Sequence, residues 1–381
     1  MYLIHVYGLI VFLYITVRLL LPSFLPVWGK AATILLVLAA SQYHLFIRYF
    51  FGSLSSPEMP YPILVLASCS FIVMTLLFVT LVLFDLLSLV LFLGRRIGLA
   101  TAIPFSPGRR AVALAGVGLA AGIYGFREAV AIPEVRTTEV VLDRLPAELD
   151  GLVIAHITDL HATALLNAPR VAAIVAKTNA LRPDLIVCTG DMVDGSPANR
   201  VEDVAPLREL RARYGVFACE GNHEYYSGHQ GWMRMFKRLG LPLLHNTHAV
   251  VTVKGKNLVI AGLNDPVATQ FGMQGPDLEK ALAGVPVDAP VILLAHQPGN
   301  ARSNATRKVD LQISGHTHGG HMIGFDRIVA SRNGGFVRGL YTVGKMQLYV
   351  GTGAGLWTGF PVRIGVSAEI ARIVLRTRTA S

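Results

Sequence analysis

Apolar and polar positions divide the chain in two. Residues 2–22, 31–50, 61–93 and 111–130 are almost continuously apolar, and each stretch nears or passes the ~20 residues with which a helix crosses about 30 Å of hydrocarbon. Four transmembrane helices are predicted. The third stretch is longer than one span requires, but Ile63 to Phe92 holds no Pro, Gly or charge cluster that could turn the chain, so one long or tilted helix is expected there. From Thr137 the pattern changes to short β-type runs punctuated by Gly, Pro, Asn and Asp. Leu152–Ile157, Leu185–Cys188, Val216–Cys219, Leu258–Ala261, Val291–Leu294 and Leu311–Ile313 have the length and apolarity of buried strands. Further β runs at Gln347–Val350 and Ile370–Leu375 imply a second sheet. Pro169–Ala180 and Val201–Arg213 read as helices with apolar faces, so the soluble part begins as a βαβ progression. The domains expected are a helical membrane region over 1–130 and an α/β domain over 131–381.

Charge sharpens this division. The first 130 residues carry 11 charged side chains and the remaining 251 carry 47, which is the contrast between a lipid and a water environment. Asp85 lies inside the third apolar stretch, where a bare carboxylate is expensive; it must pack against other helices, be protonated or find a partner. The loops after the first and third helices hold Arg18, Lys30, Arg95, Arg96, Arg109 and Arg110, whereas the other side holds Arg48 and Arg127. That bias places the first set in the cytoplasm and the C-terminal domain outside it, in a multi-pass protein of the cytoplasmic membrane. Ser106-Pro-Gly-Arg109-Arg110 ahead of an apolar stretch also resembles a twin-arginine export signal.

The net charge of +10 and pI near 9.7 fit an anionic membrane surface or a phosphate substrate. The chain has no Lys/Arg run and no basic patch interleaved with aromatics, so nucleic acid is not the favoured partner. Cys69 belongs to a membrane helix, and Cys188 and Cys219 fall in apolar strand runs, so all three read as packing residues. Gly351-Thr-Gly353-Ala-Gly355 runs into Leu-Trp-Thr-Gly-Phe-Pro and not into a helix, which excludes a dinucleotide loop.

The candidate chemistry sits in five short segments: Asp159-Leu-His161, Gly190-Asp191, Gly221-Asn222-His223-Glu224, Ala295-His296 and Gly315-His316-Thr317-His318. Leaving His223 and Glu224 aside, they offer four imidazoles, two carboxylates and one amide, the inventory for holding two divalent metals side by side. Five of the six strand runs end just before such a segment, where rigid elements hold side chains that stay accessible. Each segment alone is weak; their order, their placement and the His-x-His pattern carry the signal.

With the segments ITDLH, TGDMVD, EGNHEYY, LLAHQP and SGHTHGG, residues 137 to 375 resemble the calcineurin-like metallophosphoesterase superfamily. Within it they are similar to the membrane-anchored YkuE-like and transmembrane metallophosphoesterase-domain branch. The resemblance implies a four-layer α/β/β/α sandwich of two mixed sheets with a dinuclear site at the strand ends. It implies that Asp159, His161 and His318 serve one metal, that Asn222, His296 and His316 serve the other, and that Asp191 bridges them. The metals expected are Mn, Fe, Zn or Co. His223 is implied to be no ligand but the group that protonates the leaving oxygen, while a bridging hydroxide attacks phosphorus. Glu224 stands where many members have Asp and His321 where Gln is frequent; Glu224 is expected to orient His223, and His321 to be either a partner of the ligands or a surface residue.

The reaction expected is hydrolysis of a phosphomonoester or phosphodiester, with a lipid-linked substrate and membrane lipids as partners. A nuclease or protein phosphatase is the rival enzyme, and a non-catalytic membrane scaffold the rival of another class. Tyr225, Tyr226, Trp232, Arg302, Arg307, Lys308, Arg338, Trp357 and Arg363 are candidates for lining the cleft. His156, His229, His245 and His248 read as structural or solvated, and His5 and His44 as interfacial.

Overall fold

The computed structural model describes residues 2–51, 56–98 and 107–378. It divides into two compact units, Met1–Glu128 with Gly359–Val362, and Ala129–Thr358 with Arg363–Ser381.

The first unit is helical. The third apolar stretch is one unbroken helix, Tyr61–Arg96, about 54 Å long at 1.5 Å per residue. Among the described residues it is the one helix that is by itself long and apolar enough to cross a membrane. The stretch expected to be a helix over 31–50 is instead two helices, Val27–Ser41 and Tyr43–Phe51, bent by 54° at Gln42. The first stretch is the helix Tyr2–Ile15 followed by a wider π turn, Thr16–Leu20, and the fourth is Pro107–Val130. This last helix packs on Tyr61–Arg96 through Gly118 and Gly122, where an added Cβ would come within 2.7 Å of the Leu77 Cα and 2.6 Å of the Val73 Cα. Asp85 finds its partners inside the unit: Tyr14 Oη donates to Oδ2 at 2.6 Å, Arg18 Nε donates to Oδ2 at 2.7 Å, and Arg18 Nη2 pairs with Oδ1. His44 is not interfacial as expected but buried, edge-on to Phe71 at 4.5 Å. Ser106 of the twin-arginine-like run lies outside the described residues, as do the side chains of Arg109 and Arg110.

Among the described residues the second unit contains 11 strands: β1 (Glu134–Leu142), β2 (Val153–Ile157), β3 (Leu185–Thr189), β4 (Val216–Cys219), β5 (Thr247–Val253), β6 (Lys256–Gly262), β7 (Val291–Leu294), β8 (Leu311–Ser314), β9 (Gly339–Val343), β10 (Met346–Val350) and β11 (Glu369–Thr377). One sheet has the order β1-β11-β2-β3-β4 and the other β5-β6-β7-β8-β10-β9. Both are mixed. In the first, β11 is antiparallel to β2 within an otherwise parallel set. In the second, antiparallel pairs flank the parallel run β6-β7-β8-β10.

Period-two alternation builds the layers. Ile154, Leu258, Ile260, Ile292, Leu294, Leu311, Ile313 and Ile373 meet in one buried core between the sheets. Their strand neighbours face outward. Ala155, Ile157, Ile186 and Cys188 pack on Val171, Ile174 and Val175 of the helix Ala168–Ala180 and on Trp232 and Phe236. Val259, Ala261, Val291 and Leu293 pack on Ala281, Ala301 and Phe336. Strands buried on both faces explain why their sequences are continuous apolar runs. The helix expected over Val201–Arg213 is instead an α-helix, Pro197–Val204, that tightens into a 3-10 turn, Ala205–Glu209, because Pro206 lacks the N–H that an α-helical ladder needs.

Candidate metal centre

The parallel strands β2, β3, β4, β7 and β8 deliver the five segments to one place. Asp159 and His161 follow β2, Asp191 follows β3, Asn222 and His223 follow β4, His296 follows β7, and His316 and His318 follow β8. All seven expected donors come together there. His161 Nε2 faces His318 Nε2 at 3.2 Å, and Asp159 Oδ1 lies 3.5 Å from His318 Nε2. His296 Nε2 lies 3.2 Å from both Asn222 Oδ1 and His316 Nδ1. Asp191 Oδ2 stands between the two groups, 3.7 Å from His161 Nε2 and 3.1 Å from His296 Nε2. Asp159, His161 and His318 form one group able to hold a cation, and Asp191, His296 and His316 a second.

The backbone is bent to make this possible. Asp159, His161, Asp191, His316, His318 and His321 all have φ between 45° and 71°, the left-handed region that non-glycine residues rarely occupy and that concentrates at functional sites. Two glycines give the loops clearance. A Cβ on Gly315 would sit 2.3 Å from Asp159 Oδ2, and one on Gly221 would sit 2.2 Å from Asp191 Oδ1.

The hydrogen-bond partners decide which ring nitrogens are free. His161 Nδ1 donates to Asp194 Oδ2 at 3.0 Å, and His296 Nδ1 donates to the Thr189 carbonyl at 2.7 Å. Each ring therefore turns an Nε2 lone pair inward, and lone pairs facing each other at 3.2 Å repel unless a cation or a proton lies between them. The donor set thus fits divalent metal. The charges agree. Burial pushes His316 down to about 3 and His318 well below the usual imidazole range, keeping both neutral. Burial opposes charge on His296 too, but the Asp191 carboxylate outweighs it and raises that ring well above the usual imidazole range.

His223 stands over the site, part-buried, with its Nδ1 on Asp194 Oδ1. Burial works against its charged form, yet the Asp194 and Asp191 carboxylates raise it to about 10, leaving an imidazolium at neutral pH. Asp194, which the sequence reading passed over, therefore holds two rings at once, His161 through one oxygen and His223 through the other. Its spacing three residues after Asp191 was the available signal.

Glu224 does not orient His223 as expected. Its buried carboxylate accepts the backbone N–H groups of Asp191 at 3.0 Å and of Met192 and Gly221 at 2.7 Å, bracing the turn that presents Asp191. His321 lies 5.0 Å from the His318 ring. Of the cleft candidates, Tyr225 and Trp232 are buried. Arg363 is fully buried and donates to the carbonyls of His318, Thr352, Gly353 and Gly355, so it braces the loops and meets no solvent. Arg307 pairs with Glu279, Arg338 with Asp326, and Arg302 covers the Phe336 ring. Tyr226 remains open beside His223.

Comparison with known proteins follows the same line. The model of the calcineurin-like phosphoesterase family matches residues 152–320. The chain is 34% identical to a transmembrane protein with metallophosphoesterase domain from Danio rerio over 67% of this chain and 60% of that one. It is 29% identical to the uncharacterized metallophosphoesterase YkuE of Bacillus subtilis, over 69% and 93% of the two chains. It is 33% identical to an uncharacterized metallophosphoesterase of Aquifex aeolicus, over 47% and 67%. Two mixed sheets with metal-type donors at their strand ends are consistent with a metallophosphoesterase fold. The chain belongs to the calcineurin-like phosphoesterase family. It spans about 60% of the length of the Danio rerio relative.

Proposed function

We propose that this chain is a membrane-anchored, metal-dependent phosphoesterase in which residues 1–130 form a four-span anchor and residues 131–381 the catalytic domain. Asp159, His161 and His318 would hold one divalent ion and Asn222, His296 and His316 the other, with Asp191 a ligand available to both groups. The observation that carries this reading is the Asp191 carboxylate, whose single oxygen faces an imidazole nitrogen of each group at 3.7 and 3.1 Å. Bound divalent ions supply Lewis acidity toward the phosphate and a water of lowered pKa. The chain's own residues do the rest. His223 holds a proton above the site for the leaving oxygen, Asp194 keeps that ring charged and aimed, and Glu224 fixes the Asp191 turn. The substrate is a phosphomonoester or phosphodiester, lipid-linked, met at the outer face of the cytoplasmic membrane. The Tyr61–Arg96 helix and the name of the Danio rerio relative support the anchor.

The test is metal content and turnover of the full chain reconstituted with Mn or Zn. Close to two ions per chain are expected. Asp191→Ala should lose metal and activity together, whereas His223→Ala should keep the metal and lose about 10² to 10⁴ in rate on an ester with a poor leaving group. An empty site in His223→Ala, or one ion or none in the unaltered chain, would falsify these assignments.

A further inference from the structure

His223 is carried on the short helix Asn222–Tyr226, and the last residue of that helix places its ring beside it. The Tyr226 centroid lies 5.4 Å from the His223 ring, edge to face. Opposite stands Phe271, the last residue of the 3-10 turn Pro266–Phe271, 6.0 Å from Tyr226 with the planes inclined by 46°. Both rings face solvent, Tyr226 at 57% and Phe271 at 45% exposure. Single exposed aromatics are ordinary, but here two adjoin, one of them beside the His223 ring, and together they offer an apolar wall.

The wall is held open from beneath. Tyr225 is buried against Val267 and Ala268, joining the helix to the turn. Its hydroxyl donates to the buried Glu220 carboxylate. Asp265 Oδ1 accepts the Val267 N–H at 2.8 Å at the start of the turn, and Gly272 ends it with φ 68°. Rings fixed in this way need little ordering when a ligand arrives.

Position and charge limit what that ligand is. A general acid works within about 3 Å of the oxygen it protonates, so a group bonded to the leaving oxygen comes within reach of the Tyr226 ring, 5.4 Å from that of His223. The cation nearest in sequence to Phe271, Lys280, donates to Gln274 Oε1 at 3.1 Å, and Arg307 pairs with Glu279. The buried group under the wall is a carboxylate, Asp265, held by Gln297 Nε2 at 2.9 and 3.1 Å. A buried carboxylate there disfavours a polyphosphate leaving group.

We propose that Tyr226 and Phe271 are the leaving-group subsite, and that the site favours phosphoesters whose leaving alcohol carries a flat aromatic ring, aryl or nucleobase-like. The inference rests on the phosphoesterase reading. In the reaction, the water oxygen bonds to phosphorus as the bond from phosphorus to the leaving oxygen breaks. The leaving oxygen takes the His223 proton, and the proton released by the water restores the charge balance.

The test pairs two esters matched in leaving-group acidity, phenyl phosphate and hexafluoroisopropyl phosphate, on the metal-reconstituted full chain. Calorimetry of phenylphosphonate against methylphosphonate gives a second readout that needs no turnover. Stacking on aromatic side chains is worth about tenfold. The phenyl preference in kcat/KM and in phosphonate affinity should therefore fall about tenfold in Tyr226→Ala and in Phe271→Ala, and persist in Phe271→Trp. Turnover with equal preference in the unaltered chain and both alanine variants would overturn the subsite. If neither ester is hydrolysed, the phosphoesterase reading fails by itself. The phosphonate ratio then decides the subsite: a ring preference that Tyr226→Ala removes supports it, and equal binding overturns it.

Discussion

Asp194 is buried with one oxygen on His161 and the other on His223, so on the proposed reading its charge would serve metal binding and proton donation together. Asp194→Asn removes the charge that keeps His223 protonated. The alkaline limb of the kcat profile should move to lower pH, and loss of the His161 anchor should weaken metal binding about 10- to 100-fold; pH profiles and metal titration check both. Glu224→Gln should move that limb less than Asp194→Asn does, since Glu224 hydrogen-bonds the Asp191 turn and acts on His223 only through its charge, behind Asp194 and Asp191. A second residue ties folding to pH. His156 is fully buried with its Nε2 on Thr189 Oγ1, and burial pushes its pKa down to about 3. Its unfolded value is near 6.5, so its neutral form contributes fully above that pH, and the contribution is lost as pH falls toward 3. Between pH 8 and 5.5 this one group should remove about 1.4 kcal/mol of stability. Denaturant titrations of the unaltered chain and His156→Asn at both pH values should differ by that amount in their pH dependence. The donors themselves were legible from residue type and order. Asp194 was not, because nothing in a Gly-Asp-x-x-Asp string says which carboxylate faces metal and which faces a ring.

Among the elements, those buried on both faces were legible and those at edges were not. β7 is an unbroken apolar run because it is buried on both faces, whereas β8 alternates, its Leu311 and Ile313 in the core between the sheets and its Gln312 hydrogen-bonded to Asn304. β1 is an edge strand carrying Glu134, Arg136 and Glu139, and its pairing with β11 has no signature in so polar a segment. The bend at Gln42 was equally silent, lying in an apolar run without Pro or Gly. The contact between Pro107–Val130 and Tyr61–Arg96 is testable at its closest points. Gly122→Leu places side-chain atoms where Val73 Cα already lies within 2.6 Å of the Cβ position, whereas Gly116 has nothing within 4 Å. Overpacking costs about 1 to 3 kcal/mol. Gly122→Leu should lower the thermal midpoint of the detergent-solubilised chain, and Gly116→Leu should not.

For the whole molecule the open quantity is sidedness. The basic residues of the loops predict a catalytic domain outside the cytoplasm. Alkaline phosphatase fused after Ser381 should then be active and a cytoplasmic fluorescent reporter dark; the opposite pattern would overturn both the orientation and the outer-face substrate. Arg18 bears on that arithmetic, since its charge is spent on Asp85 within the helical unit. Sequence by itself determined the two-part character of the chain, the buried strands and the donor inventory, because hydrophobic period and residue chemistry are local properties. Tertiary structure alone decided how the donors meet. His161 and His318 face each other at 3.2 Å across 157 residues of chain, and that approach depends on strand order, on the packing of one sheet against the other and on left-handed turns that no local pattern records.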